Sequence, residues 1–319
     1  MTKKKNGIGI DLGGTALKIG IVDHDGKILK KISVDSNADK GPDAVIRQII
    51  NGTRQILEST KVKNYGIGIG APGAVSLKKG VVENPPNFPG WGRVPLGEIL
   101  KKEFKCDVFV ENDANAAAIG EMIYGAGKSY QNFIMITLGT GVGGGIIINR
   151  KIYRGETGGA GELGHVTIDS MGRQCKCGSI GCIEAYIGNN YLIERVKTQI
   201  VDRQDSQLYG TIKDDFNLLT PKLIHGAAEN GDDFSQSVVI DTGTKLGYAL
   251  TTIVNVLDIT TVIIGGGVAG FGKLLFNSVE STLKDRVMKP FRSRIKVKPA
   301  KLKNDAGIKG ASALVFYKS

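Results

Sequence analysis

Gly7-Ile8-Gly9-Ile10-Asp11-Leu12-Gly13-Gly14-Thr15-Ala16-Leu17-Lys18-Ile19-Gly20-Ile21-Val22 decides the fold. An apolar run, a turn of Asp, Gly and Thr, and a second apolar run read as strand, turn, strand. The design recurs at Phe133-Ile134-Met135-Ile136 with Thr137-Leu138-Gly139-Thr140-Gly141 and then Ile146-Ile147-Ile148. An offset of 126 residues carries Leu12 onto Leu138, Gly13 onto Gly139 and Val22 onto Ile148. One such unit in each half of the chain predicts two related α/β domains facing one cleft. A third glycine run, Gly265-Gly266-Gly267, follows the strand-like Thr261-Val262-Ile263-Ile264.

Between these units the elements are local readings. Asp25-Gly26 marks a hairpin. Gly41-Pro42 opens a helix whose apolar positions Val45, Ile46, Ile49, Ile50, Ile56 and Leu57 keep helical spacing. Ile67–Gly70 is a buried strand that ends in the turn Ala71-Pro72-Gly73, and Val108–Val110 is another. Asp113 opens an alanine-rich helix, Leu246–Leu257 is a long apolar helix, and a short helix closes the chain from Gly307. Arg292-Ser293-Arg294-Ile295-Lys296-Val297-Lys298 alternates with period two and predicts a strand with one solvated face. No linker rich in Pro or Ser appears, so the repeat sets the domain boundaries near residues 121 and 300.

The chain has 319 residues, 41% hydrophobic and 23% charged, which excludes disorder and fibre. Its 45 glycines are about twice the usual share of roughly 7%. Clustered in short loops, they point first to backbone lying close to a ligand. No apolar stretch reaches the roughly 18 residues of a membrane span. The basic start, Met1–Lys5, lacks the apolar region of a secretory signal, so a cytoplasmic protein is expected. Lys and Arg exceed Asp and Glu to give +11, yet no aromatic residue interleaves with a basic run. Nucleic acid and membrane are therefore not expected as partners.

Both glycine turns can offer amide N–H groups and Thr hydroxyls to phosphate oxygens. They lack the Lys of a P-loop and run into strands, where a dinucleotide loop opens a helix. Tight hairpins without a ligand are the alternative. Asp11 beside phosphate donors calls for Mg2+ between the like charges. Asp113, at a helix start, is either a cap or a general base kept ionised by the helix field. His165 with Cys175, Cys177 and Cys182 makes a Cys3His set for a structural Zn2+, against free thiols beside an unrelated His. Asn112, Glu162 and Glu184 are groups suited to sugar hydroxyls.

These residues carry a resemblance. Asp11–Thr15, Glu111–Ala117, Leu138–Gly144, Gly161-Glu162-Leu163-Gly164-His165, Cys175–Glu184 and Gly265–Gly267 resemble the ROK family of repressors, open reading frames and sugar kinases. Order and spacing match from residue 7 to about 315, and the likeness is greatest to the family's zinc-containing glucokinases. The resemblance implies an actin-like ATPase (ribonuclease H-like) α/β fold, with two similar domains around a central cleft. The first domain would be 1–121 plus about 301–319, and the second, larger one 122–300 with the zinc loop.

It also implies an ATP-dependent hexose kinase in which Asp113 takes the proton of the glucose 6-hydroxyl. Asn112, Glu162, His165, Glu184 and Asn87 (with Asn84 only three residues away) match sugar-binding positions. Gly13, Gly14, Thr15, Thr140 and Gly141 would hold the phosphates of ATP, with Lys18 nearby. Gly266 and Gly267 would lie against the adenosine, and Asp11 would serve Mg2+. His165 would place one ring nitrogen on zinc and the other on sugar. Family relatives usually form dimers or tetramers. Kinases for N-acetylmannosamine, mannose or fructose are alternatives within the family. From other classes come a sugar-sensing transcriptional regulator and an actin- or chaperone-like ATPase. With six residues ahead of the first strand, a DNA-reading helix-turn-helix is not expected.

Overall fold

The computed structural model describes residues 5–60, 62–76, 80–213 and 215–317. Contacts divide the chain into two compact units. The first comprises Met1–Gln131, Gly145–Gly161 and Lys301–Ser319, and the second Asn132–Gly144 and Glu162–Ala300. The boundary expected near residue 121 falls at 131, and residues 145–161 return to the first unit. There Gly145 comes close to Ala118 of the alanine-rich helix, with 2.8 Å between a Cβ placed on the glycine and the Ala118 methyl.

In chain order the first unit runs β1 (Asn6–Leu12), β2 (Ala16–Val22), β3 (Ile28–Asp35), α1 (Pro42–Thr60), β4 (Tyr65–Ala71), β5 (Ala74–Ser76), β6 (Val81–Glu83), β7 (Arg93–Val94), α2 (Leu96–Phe104), β8 (Val108–Asn112) and α3 (Asp113–Tyr124). Then follow β9 (Phe133–Leu138), β10 (Val142–Ile148), β11 (Lys151–Ile152), α4 (Glu184–Ile187), α5 (Asn189–Ile200), α6 (Gln207–Ile212), α7 (Pro221–Glu229), α8 (Asp233–Leu257), β12 (Thr261–Gly265), α9 (Gly272–Arg286), β13 (Lys296–Pro299) and α10 (Ala306–Ala313). The sheet orders are β3-β2-β1-β4-β8 and β11-β10-β9-β12-β13, the same topology twice. The 126-residue offset carries β2 onto the full span of β10. In each sheet the strand that opens the repeat has a parallel neighbour, β4 beside β1 and β12 beside β9.

The isoleucines of β1 and β4 (Ile8, Ile10, Ile67, Ile69) are wholly buried, as are Val45, Ile49 and Ile56 on one face of α1. Each such side chain stabilises the fold by roughly 1.5–3 kcal/mol. The glycines between the isoleucines lie within the strands, outside the loops expected to approach a ligand, and have a packing task. A Cβ on Gly9 would lie 1.9 Å from the Ile308 carbonyl oxygen, and one on Gly68 the same distance from that of Ala311. Both strands are bare there so that the backbone of α10 can lie directly on the sheet. Strand glycines thus serve helix packing, while the turn glycines remain candidates for ligand approach.

Two further elements differ from expectation. Residues 289–294 form a 3-10 helix with Pro290 in its first turn, and only Lys296–Pro299 is strand. Proline fixes φ and removes an amide donor, and Arg292 Nη2 donates back to the Asp285 carbonyl at 2.9 Å, so period-two alternation there has no ladder to join. The helix predicted over 246–257 is the second half of α8, whose first half buries Phe234, Val238 and Val239 at helical spacing among polar residues. No helix among the described residues is long and apolar enough to cross a membrane.

Candidate active site and metal centre

Strand register assembles the first unit's candidates. Asp11 pairs with Lys18 across the β1–β2 hairpin and with Gly70 of β4, and Gly70 pairs with Glu111 of β8. Three parallel strands therefore end together, the usual place for a ligand in an α/β sheet. Burial raises the pKa of Asp11, and Lys18, 3.8 Å away, offsets this only in part. A Cβ on Gly307 would fall 2.2 Å from Asp11 Oδ2, so the start of α10 closes on the carboxylate. Such a desolvated, underpaired carboxylate suits a divalent cation.

In the first glycine turn, Thr15 is exposed, and a Cβ on Gly14 would lie 3.1 Å from that of Asn87. Asn84 and Asn87 both have left-handed backbones, φ 41° and 67°, but it is Asn87 that lies against the turn. Its loop is pinned by Phe88 and Trp91, a T-shaped pair at 5.3 Å, with Trp91 Nε1 donating to the Val82 carbonyl at 3.1 Å.

At the β8–α3 junction the cap is Asn112. Its Oδ1 accepts from the N–H groups of Ala114 (3.0 Å) and Asn115 (3.2 Å), while Nδ2 donates to the Gly73 carbonyl (3.2 Å). One Nδ2 hydrogen is left for a ligand. Asp113 is the first residue of the helix and is exposed, with Oδ1 also 2.8 Å from the Ala114 N–H. Asn112 thus fills the capping role that was one reading of Asp113, and the Asp113 carboxylate stands at the positive end of α3.

Glu111 is buried beneath this junction. Its Oε1 accepts from the Asn112 N–H (3.0 Å) and Asn115 Nδ2 (3.2 Å), and its Oε2 takes Arg154 Nε at 3.0 Å and Nη2 at 2.9 Å. Arg154 also faces the Tyr317 ring at 5.9 Å, and the Tyr317 hydroxyl accepts from the Ile152 N–H at 3.0 Å. Sequence reasoning missed Arg154, for nothing local marks it.

The second unit gathers the other candidates around the turn from β9 to β10, where Thr140 is exposed. Glu184, first residue of α4, accepts at Oε2 from the Val142 N–H at 2.8 Å. Gly266, at φ 91°, packs so closely on the same turn that a Cβ would lie 2.2 Å from the Leu138 carbonyl oxygen, and Gly267 beside it has open space. The second and third glycine runs therefore meet. Glu162 and His165 flank a short 3-10 turn, with His165 Nε2 3.9 Å from Glu162 Oε2.

The other His165 nitrogen, Nδ1, lies 3.7 Å from Cys175 Sγ, and Cys177 Sγ lies 3.7 Å from Cys182 Sγ. The four ligand atoms all fall within 4.8 Å of one another. A tetrahedral Zn2+ with Zn–S near 2.3 Å puts neighbouring sulfurs about 3.8 Å apart, so the set fits the ion with no position left open. Without metal, burial pushes the Cys175 thiol up to about 12. The imidazole then has one nitrogen turned to the metal centre and one turned outward to Glu162.

Fold and site together define a two-unit α/β protein with two glycine turns and a Cys3His cluster that could hold a metal ion. Residues 7–318 match the ROK family, and the chain belongs to it. Its fold is the actin-like ATPase fold of ROK kinases. The chain is 35% identical over 308 residues to a glucokinase of Thermotoga maritima, covering 97% of this chain and 96% of that one. It is 29% identical to a xylose repressor of Caldicellulosiruptor bescii, covering 97% of this chain and 77% of the repressor. A ROK family glucokinase from Streptomyces griseus, solved with glucose and AMPPNP, superimposes with a TM-score of 0.84 at 32% identity, covering 98% and 99% of the two chains.

Proposed function

We propose that the protein is an ATP-dependent hexose kinase that phosphorylates the 6-hydroxyl of glucose, with Asp113 as general base. The observation that carries this reading is the placement of Asp113. Asn112 does the capping, so the Asp113 carboxylate is exposed at the head of α3 and held by its dipole. Phosphoryl transfer needs a positioned acceptor more than a strong base, and an ionised carboxylate there orients the hydroxyl and accepts its proton.

Asn87 and Asn112 from the first unit, with Glu162, His165 and Glu184 from the second, would bind the remaining hydroxyls. Amides of Gly13, Gly14, Thr15, Thr140 and Gly141 would hold the phosphates, and Gly266 and Gly267 would leave room for the adenosine. Lys18, paired with Asp11, would reach the phosphates only by leaving that carboxylate. Mg2+ at Asp11 would neutralise charge on the nucleotide. Zn2+ on His165, Cys175, Cys177 and Cys182 would be structural, holding the loop that ends at Glu184.

A coupled assay with ATP and Mg2+ across glucose, mannose, fructose and N-acetylmannosamine tests the reading. Turnover led by glucose is expected. Turnover confined to another of these sugars would reassign the substrate. No turnover on any of them, with sugar-dependent DNA binding instead, would favour a regulator like the xylose repressor relative.

A further inference from the structure

We infer that Glu184 couples the two ligand sites: one carboxylate oxygen anchors the glycine turn meant for nucleotide phosphates, and the other is left to take a sugar hydroxyl. The inference rests on the kinase reading and adds a link between its two substrates.

Residues 138–144 contain four glycines, at 139, 141, 143 and 144. The turn itself, 139–141, closes through one bond of its own, Gly139 N–H to the Gly141 carbonyl at 2.9 Å. With glycines on both sides of Val142, the remaining amides are held in one arrangement only if something outside fixes them. Glu184 does so at Val142, whose N–H donates to Oε2 at 2.8 Å. The carboxylate lies so tightly on the turn that a Cβ at Gly141 would come within 2.3 Å of that oxygen. On the carbonyl side of Val142, a Cβ at Gly164 would stand 2.1 Å from the oxygen, so the segment bearing Glu162 and His165 packs there too. Asn189 N–H adds a bond to the Gly139 carbonyl at 3.0 Å. Oε1 of Glu184 makes no hydrogen bond among the described residues.

The chemistry gives the coupling a sign. A carboxylate beside a phosphate-binding turn repels phosphate, and the repulsion weakens when a sugar hydroxyl donates to its second oxygen. That donor also fixes the carboxylate, and through it the Val142 amide. Sugar binding therefore tightens nucleotide binding, and by linkage the nucleotide tightens sugar by the same factor. Without sugar, the turn receives ATP poorly, which limits hydrolysis to water.

The test is the affinity of the Mg2+ complex of AMPPNP, measured by calorimetry with and without saturating glucose. The wild-type protein should show about tenfold tighter nucleotide binding with glucose, within the usual range of coupling. Glu184→Ala should reduce that factor below about twofold, even where both ligands still bind at higher concentration. Glu184→Gln should retain only the part of the factor that comes from fixing the turn, because its amide still spans Val142 and a hydroxyl while the charge that repels phosphate is gone. Should Glu184→Ala not fold, Gly141→Ala displaces the carboxylate without altering it and should abolish the coupling likewise.

A merely sugar-binding Glu184 would weaken glucose yet leave the factor intact at saturation. That result, or a wild-type factor of one, overturns the inference while leaving the kinase reading in place. Failure of the wild-type protein to bind either ligand or to phosphorylate any hexose overturns the kinase reading itself.

Discussion

Arg154 sets two guanidinium nitrogens on a single oxygen of Glu111, at 3.0 and 2.9 Å, while the other Glu111 oxygen holds the start of α3 through Asn112 and Asn115. The Glu111 side chain is 5% exposed and that of Arg154 21%, so the pair is screened little by solvent. Removing one member of a buried pair is far more costly than replacing both, because a charge is left uncompensated. Arg154→Met should therefore lower stability by about 3 kcal/mol in urea unfolding. Glu111→Gln combined with Arg154→Met should recover most of that loss, since the Gln oxygen still accepts from Asn112 and needs no cation. A double variant as unstable as Arg154→Met would show that the pair does not hold the junction.

Asp113→Asn should lower kcat by about 10^3-fold or more while glucose affinity stays within about tenfold, or about 1.4 kcal/mol. The amide keeps the size of the side chain and still accepts from Ala114, so the head of α3 need not move. Steady-state kinetics with a separate glucose titration checks this. Turnover near wild type would remove Asp113 from the role of base.

Much of this architecture was legible because its signals are local. The strand–turn–strand repeat lies within about twenty residues each time, and the metal ligands span only His165 to Cys182, so spacing alone brings them together. Glu111 and Arg154 are 43 positions apart, and Val142 and Glu184 are 42 apart. No periodicity links such pairs, which arise only when the sheets set their register. The task of the strand glycines was hidden for a related reason. Gly9 and Gly68 read as strand residues from the start, and only the arrival of α10 on that face shows what their missing side chains are for. Arg292, Ser293 and Arg294 illustrate the reverse: the alternation read from Arg292 to Lys298 begins in a 3-10 helix and becomes strand only where β12 lies beside it, from Lys296.

Stripping the metal should loosen residues 165–182 while the rest of each unit stays folded. Cys175 and Cys182 are buried, and three thiols with one imidazole give that loop little apolar core of its own. Chelation, or Cys182→Ser, should lower zinc content from about one ion per chain. It should also open the loop to protease and weaken glucose binding, since His165 and Glu184 lose their support. Full glucose affinity in protein verified as zinc-free would count against this.

Acid stability should depend on Asp232, the cap of α8. Burial alone would raise its pKa, but hydrogen bonds from the Ser235 side chain and backbone, Ser206 and the Gln207 N–H outweigh it and hold the carboxyl low. A carboxylate depressed in the folded state stabilises above its unfolded pKa of about 3.9, and that contribution fades as pH falls through the folded value. Asp232→Asn, which can still cap, should flatten the loss of stability below about pH 4. Asp232→Ala should cost about 1–2 kcal/mol at neutral pH. An unchanged acid limb in the Asn variant would assign the acid sensitivity elsewhere.

Asp11 should behave in the opposite sense. Its pKa is raised by burial despite Lys18, so the folded protein holds the proton more tightly than the unfolded chain. The resulting penalty is absent below the unfolded pKa, appears as pH rises towards the folded value, and is complete at neutral pH. Asp11→Asn should therefore raise the Tm at pH 7 by about 1–3 °C, a gain that shrinks on approach to pH 4. Loss of the partner costs Lys18 little, because its side chain is half exposed. The same variant should lower turnover sharply, because the group that suits Mg2+ is gone. A stabilised but inactive protein is what a binding carboxylate held at the expense of the fold must give. Thermal scans at pH 7 and pH 4, paired with the kinase assay, separate the two effects. A lower Tm at pH 7 would show instead that the Asp11–Lys18 pair contributes more than burial removes.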